Sequence, residues 1–176
     1  MRRIHTPDDL ALAELCAARL DGELYEVDAC FASVALPDDA LTRASAFAWS
    51  VSDSRIVAER LTAAWIWGAR SRAPAVLQAC AGPGTRARAS RPRLRVRETR
   101  LTRSDVVVVG PARVTAPLRT AVDLLRVGER WERDDAEAVR RLTALVHPDA
   151  IRTALAATRS APHSRQAVGR LEEALR

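Results

Sequence analysis

Between Arg91 and Arg97 arginine takes every second position, in the run Arg91-Pro92-Arg93-Leu94-Arg95-Val96-Arg97. Alternate side chains of an extended strand point to opposite faces, so this spacing puts Arg91, Arg93, Arg95 and Arg97 on one face and Leu94 and Val96 on the other. Successive guanidinium groups would stand about 6.8 Å apart, from a rise of about 3.4 Å per residue. Planar, forked donors in such a row suit the phosphates or carboxylates of a polyanionic partner. Arg86, Arg88, Arg100 and Arg103 extend the row on the flanking loops, with Glu98 the only acid among them. Charge on an edge strand also discourages edge-to-edge aggregation, which is the alternative use of the same residues.

The rest of the chain makes this concentration stand out. Residues 1 to 60 carry six Arg against eleven acids, and residues 61 to 103 carry ten Arg against one acid. The whole chain, 176 residues long, has a net charge of +6. All of its basic residues are Arg, which removes the lysine of a Schiff base, a Walker A loop or the usual nuclease motif. Cys16, Cys30 and Cys80 are odd in number and widely spaced, and His5, His147 and His163 have no ligand partner at metal spacing, so buried thiols and no metal or other cofactor are expected. Trp65 and Trp67 read as packing residues rather than a base-stacking platform. No run of about 18 apolar residues occurs and the start lacks the apolar stretch of a signal peptide, which places the protein in the cytoplasm without a membrane partner.

Elements that must position the arginines emerge from capping and periodicity. Thr6-Pro7-Asp8-Asp9 reads as a helix start with Thr6 as N-cap, and Gly22 as its stop. Leu24 to Val27 and Cys30 to Val34 predict a hairpin, and Pro37-Asp38-Asp39 opens a helix running to about Ser50. Val57, Leu61 and Trp65 predict a helix from Ser54 to Ala69, ended by Gly68. Strands come next at Val76 to Ala81, Arg91 to Glu98, Asp105 to Gly110 and Ala112 to Thr115. The four consecutive valines Val106 to Val109, apolar on both faces, predict a central buried strand. Thr115 caps a helix in which Arg119 and Asp123 pair at i,i+4, and three more helices are expected over Arg133 to Val146, Pro148 to Ala157 and Ser164 to Leu175. The fold class is α+β, a small mostly antiparallel sheet packed with helices and ending in a helical C-terminus. Residues 1–36 form a short helix plus a wing-like hairpin, and residues 37–176 the α+β domain.

Three blocks carry a family resemblance: Gly22 to Val27 (GELYEV), Ile56 to Ala69 (IVAERLTAAWIWGA) and Arg113 to Arg126 (RVTAPLRTAVDLLR). They resemble the AbiEi-type antitoxins of actinobacteria, with a shortened N-terminal region. The resemblance implies an antitoxin-like regulator of a type IV toxin–antitoxin system that opposes a nucleotidyltransferase-like toxin and represses its own operon by binding DNA. It implies no enzymatic activity and no catalytic residues. Family members usually begin with a winged helix-turn-helix, whereas one helix alone precedes the hairpin here, so a DNA contact through the arginine strand would be nonspecific.

Two other readings stay open. Relatives fused to an endonuclease-like domain make a hydrolase remnant the enzymatic rival, with Asp123 and Glu129 as conceivable metal ligands. The apolar stripe Ala167, Val168, Leu171, Ala174 and Leu175 would alternatively serve a structural accessory protein that binds no nucleic acid.

Overall fold

The computed structural model describes residues 3–51, 53–85, 93–128, 131–157 and 162–176. Helix α1 (Leu12–Leu20) leads into the hairpin β1 (Leu24–Val27) and β2 (Cys30–Ser33). Helix α2 (Ala40–Ser50) is next, then β3 (Val57–Ala58), α3 (Arg60–Ile66), β4 (Leu77–Ala81) and β5 (Leu94–Glu98). A single 3-10 turn (Arg103–Asp105) leads to β6 (Val106–Val109) and β7 (Ala112–Thr115). The chain ends in α4 (Pro117–Leu125), α5 (Arg133–Leu142), α6 (Pro148–Ala157) and α7 (Ser164–Ala174).

This is the α+β architecture expected, with a helical C-terminus. Besides the antiparallel β1–β2 hairpin, a five-stranded sheet has the order β5-β4-β3-β7-β6. Its β3–β4 and β6–β7 pairs are antiparallel, and its β3–β7 and β4–β5 pairs are parallel. The sheet is therefore mixed.

Local chemistry explains most boundaries. Asp39 caps α2 by accepting from Thr42 N at 2.8 Å. Gly68, at φ +80°, ends α3 in a Schellman arrangement, with Ala69 N donating to Ala64 O and Gly68 N to Trp65 O. Pro117 and Pro148 stand first in α4 and α6, where a missing N–H costs nothing.

Four local expectations are corrected. Thr6 caps only a turn, in which its N and Oγ1 donate to Asp9, and α1 begins at Leu12. Val57 belongs to β3, and the helix expected from Ser54 begins at Arg60, because the extended segment before it pairs with both β4 and β7. Thr115 is the last residue of β7, leaving Ala116 as the N-cap of α4, and its hydroxyl meets that of Thr120 at 2.8 Å. The valine strand β6 lies at the edge of the sheet, not its centre, with Val107 39% and Val108 71% exposed.

Two apolar cores flank α3. One joins the hairpin residues Val27, Cys30 and Ala32 to Phe47, Trp65, Ile66, Leu77, Leu94 and Val114. The other packs Ala64 and Ala69 against the C-terminal helices through Leu124, Leu125, Leu142, Ile151 and Leu171. Trp65 is buried as expected, and Trp67 Nε1 donates to Thr115 O at 2.8 Å, which ties α3 to the sheet.

Candidate partner-binding surface

Strand β5 alternates as the sequence requires. Leu94 is buried and Val96 packs against the core, while Arg95 and Arg97 point to the opposite face. The arginines on and around β5 nevertheless have different fates. Arg93, just before the strand, donates from Nε to Ala75 O at 2.9 Å and pairs with Asp28 at 3.2 Å. Arg97 turns inward and donates from Nε to Glu59 Oε1 at 2.6 Å, with Asp123 3.7 Å from its Nη2. Arg95, Arg100 and Arg103 are exposed, with no hydrogen-bonding or ionic partner among the described residues. Arg86, Arg88 and Arg91, also expected to contribute, lie outside the described residues, as does Glu129.

Parallel pairing of β5 on β4 is what carries Arg97 to its acids. Arg97 lies opposite Cys80, Cys80 opposite Val57, and Glu59 stands two residues past Val57 at the start of α3. From α4, Asp123 extends the contact into a chain of charges. Arg119 donates to Asp123 at 2.9 Å and to Asp105 at 3.1 Å, and Asp105 also accepts from Thr102 N and Oγ1. The Arg119–Asp123 helix pair expected from the sequence is thus one link of a longer network.

Burial sets the electrostatics of this network. Glu59 is 2% exposed, and its Oε2 is buried without a hydrogen-bond partner. Desolvation pushes the Asp123 carboxyl above its ordinary pKa, although Arg119 and then Arg97 pull it down. Burial first, and the charge of Glu59 second, raise the Cys80 thiol, which stays protonated and unreactive. A cleft of about 320 Å³ opens beside the network, between Asp105, Arg119, Asp123 and Arg126. Two guanidinium groups already occupy Asp123, an arrangement suited to holding α4 on the sheet rather than to coordinating a cation. Among the described residues, no set of three or more His, Cys, Asp and Glu is placed to hold a metal ion.

Sequence reasoning missed two participants. Glu59 gave no signal, because its partner is 38 residues away and only strand register joins them. Arg113 stands on β7 in the same cross-sheet row as Arg97, Cys80 and Val57, exposed and without a partner among the described residues. A solitary Arg in an apolar strand gives no pattern to find. Cys30 and Cys80 are buried, Cys16 is half-buried, and none of the three is in a disulfide. Among the described residues, no helix is long and apolar enough to cross a membrane.

No protein-family model and no curated protein matches the chain. Among solved structures, the chain is similar to the RV2827C protein from Mycobacterium tuberculosis, at 14% sequence identity and a TM-score of 0.53. The match covers 97% of this chain and 66% of that one. The similarity is one of fold.

Proposed function

We propose that this chain is an antitoxin-like regulatory protein of a type IV toxin–antitoxin system, a cytoplasmic binding protein rather than an enzyme, which opposes a nucleotidyltransferase-like toxin. The observation that carries the binding part is the division among the arginines. Arg93 and Arg97 are neutralised within the fold, whereas Arg95, Arg100 and Arg103 face outward without partners among the described residues. Unpaired exposed cations favour an anionic partner surface and speed encounter with it. Arg113 adds a further cation on the same sheet face as Arg95.

The sequence blocks resembling AbiEi-type antitoxins name the partner, and the free arginines supply its complementarity. DNA is the second anionic partner, reached through phosphates. Among the described residues α1 alone precedes the hairpin, so these residues supply no helix-turn-helix pair, and the DNA contact is one to phosphates. The hydrolase reading is disfavoured by the engagement of Asp123 with Arg119 and Arg97.

Co-expression with the product of a neighbouring nucleotidyltransferase-like gene tests the proposal. Growth rescue together with co-purification is expected, and both should weaken when Arg95, Arg100 and Arg103 are replaced by Gln. Absence of a complex and of rescue with the unmodified chain overturns the antitoxin role.

A further inference from the structure

The two edges of the five-stranded sheet are chemically opposite. One is the arginine-bearing β5; the other, β6, is four valines without a charge, in a chain carrying 28 Arg and 22 acids. Natural edge strands are commonly protected by charge, proline or a bulge, or by covering elements. Between Val106 and Val109 none of the first three occurs, and Val108 is 71% exposed.

The backbone of this edge is open as well. Ala116 N donates to Asp105 O at 2.8 Å, which makes Asp105 and Ala116 a hydrogen-bonded pair of the β6–β7 ladder. Antiparallel pairs alternate, so Val107 with Val114 and Val109 with Ala112 are the next bonded pairs. Val106 and Val108 therefore direct their N–H and C=O groups away from β7. No described strand meets them there.

We infer that β6 is a self-association edge, on which β6 of a second copy of this chain pairs antiparallel about a two-fold axis. The strand is complementary to itself. Centring the pair on Val107 opposite Val107 of the second copy sets Val106 of each copy opposite Val108 of the other. Each of those pairs exchanges both N–H···O bonds. Val107 meets its twin on one face, and the Val106–Val108 pairs pack on the other, where β-branched cross-strand contacts stabilise a sheet. Beyond the valines, Asp105 falls opposite Val109, Ser104 opposite Gly110 and Arg103 opposite Pro111 of the other copy, so no like charges face each other. An isologous contact of this kind closes at two subunits.

A second copy fits this edge better than the anionic partner proposed above. An uncharged strand offers nothing to phosphates or carboxylates, whereas another uncharged strand satisfies both its backbone groups and its valines. The pairing doubles the sheet and leaves the two β5 edges at its far ends, free for other partners. Because the strand is short, the contact is small and the dimer is concentration-dependent.

Light scattering over a concentration series tests this directly. The native chain should rise from 19.2 kDa toward twice that mass, and Val108→Lys should stay at 19.2 kDa with an unchanged melting temperature. In the native chain, amide exchange at Val106 and Val108 should slow as concentration rises, a readout independent of any variant. Val168→Glu, in the α6–α7 cleft, should dimerise like the native chain. A native monomer at every concentration, or a Val108→Lys dimer as tight as the native one, overturns the inference. So does dissociation by Val168→Glu alone, which assigns the interface to α7.

Discussion

Arg97 donates from Nε to Glu59 Oε1 across 2.6 Å, joining the edge strand β5 to the start of α3 over a carboxylate that is 2% exposed. Removing one partner of such a pair leaves a buried charge without compensation, which costs more than the pair itself contributes. Arg97→Met should therefore lower unfolding free energy by about 3 kcal/mol, the lower end of the usual range, because the Arg97 side chain is 35% exposed. Adding Glu59→Gln should recover part of the loss by removing the stranded charge. Denaturant unfolding of the two single variants and the double variant measures the coupling, and strict additivity counts against it.

Asp123 should show itself in the pH dependence of stability. Burial raises its folded pKa above the usual 3.8, against the pull of Arg119 and Arg97. The folded protein then keeps a proton that the unfolded chain has released. Its contribution is fully present below pH 3.8 and is lost as pH rises through the folded value. Asp39 runs the other way. Despite its desolvation, hydrogen bonds from Thr42 and the charge of Arg3 lower its pKa, so its contribution is present above 3.8 and lost on acidification. Asp123→Asn should remove the decline above pH 3.8 from the stability profile, whatever it does to the overall level. Carboxyl resonances titrating in the order Asp39 before Asp123 would be the direct sign.

How much of the fold was legible in the sequence depended on whether local chemistry or register decided the outcome. Proline and glycine punctuation gave the start of α6 and the stop of α3 correctly, since those signals act within one turn of helix. The valine run misled, because an edge strand and a buried strand can share one composition; order in the sheet comes from pairings between distant residues, here β3 with β7. Val57 satisfied helical spacing with Leu61 and Trp65, yet two neighbouring strands hold it extended. Alternation placed Arg95 and Arg97 on one face correctly. It could not separate an arginine that closes on Glu59 from one that stays free, because that depends on which β4 residue lies opposite and on the acid at the junction of β3 and α3.

Arg43 was equally invisible, the one charged residue of α2. It is 8% exposed and binds four ways: Nε and Nη2 to Asp38 at 2.7 and 2.6 Å, and Nη1 to the carbonyls of Trp65 and Arg70 at 2.7 and 2.9 Å. The bond to Trp65 O caps the last turn of α3 and the bond to Arg70 O holds the segment after it, which gives the side chain a structural task that a point charge cannot fill. Arg43→Lys should cost about 3 kcal/mol, since the ammonium keeps the charge and loses the fork. For a chain of this size that corresponds to a drop on the order of 10 °C in melting temperature. A shift of a degree or less would mean that charge alone suffices.

The division of the arginines gives a quantitative prediction for nucleic-acid binding. Each phosphate neutralised contributes about −0.9 to the slope of log affinity against log salt. If Arg95, Arg100 and Arg103 each hold one phosphate, replacing all three with Gln should flatten the slope by about 2.7 on duplex DNA of any sequence. Arg97→Gln should leave it unchanged, because that guanidinium is already neutralised by Glu59. The same variants serve for both partners. A flattened slope with intact toxin rescue assigns the three arginines to DNA. An unchanged slope with lost rescue assigns them to the toxin.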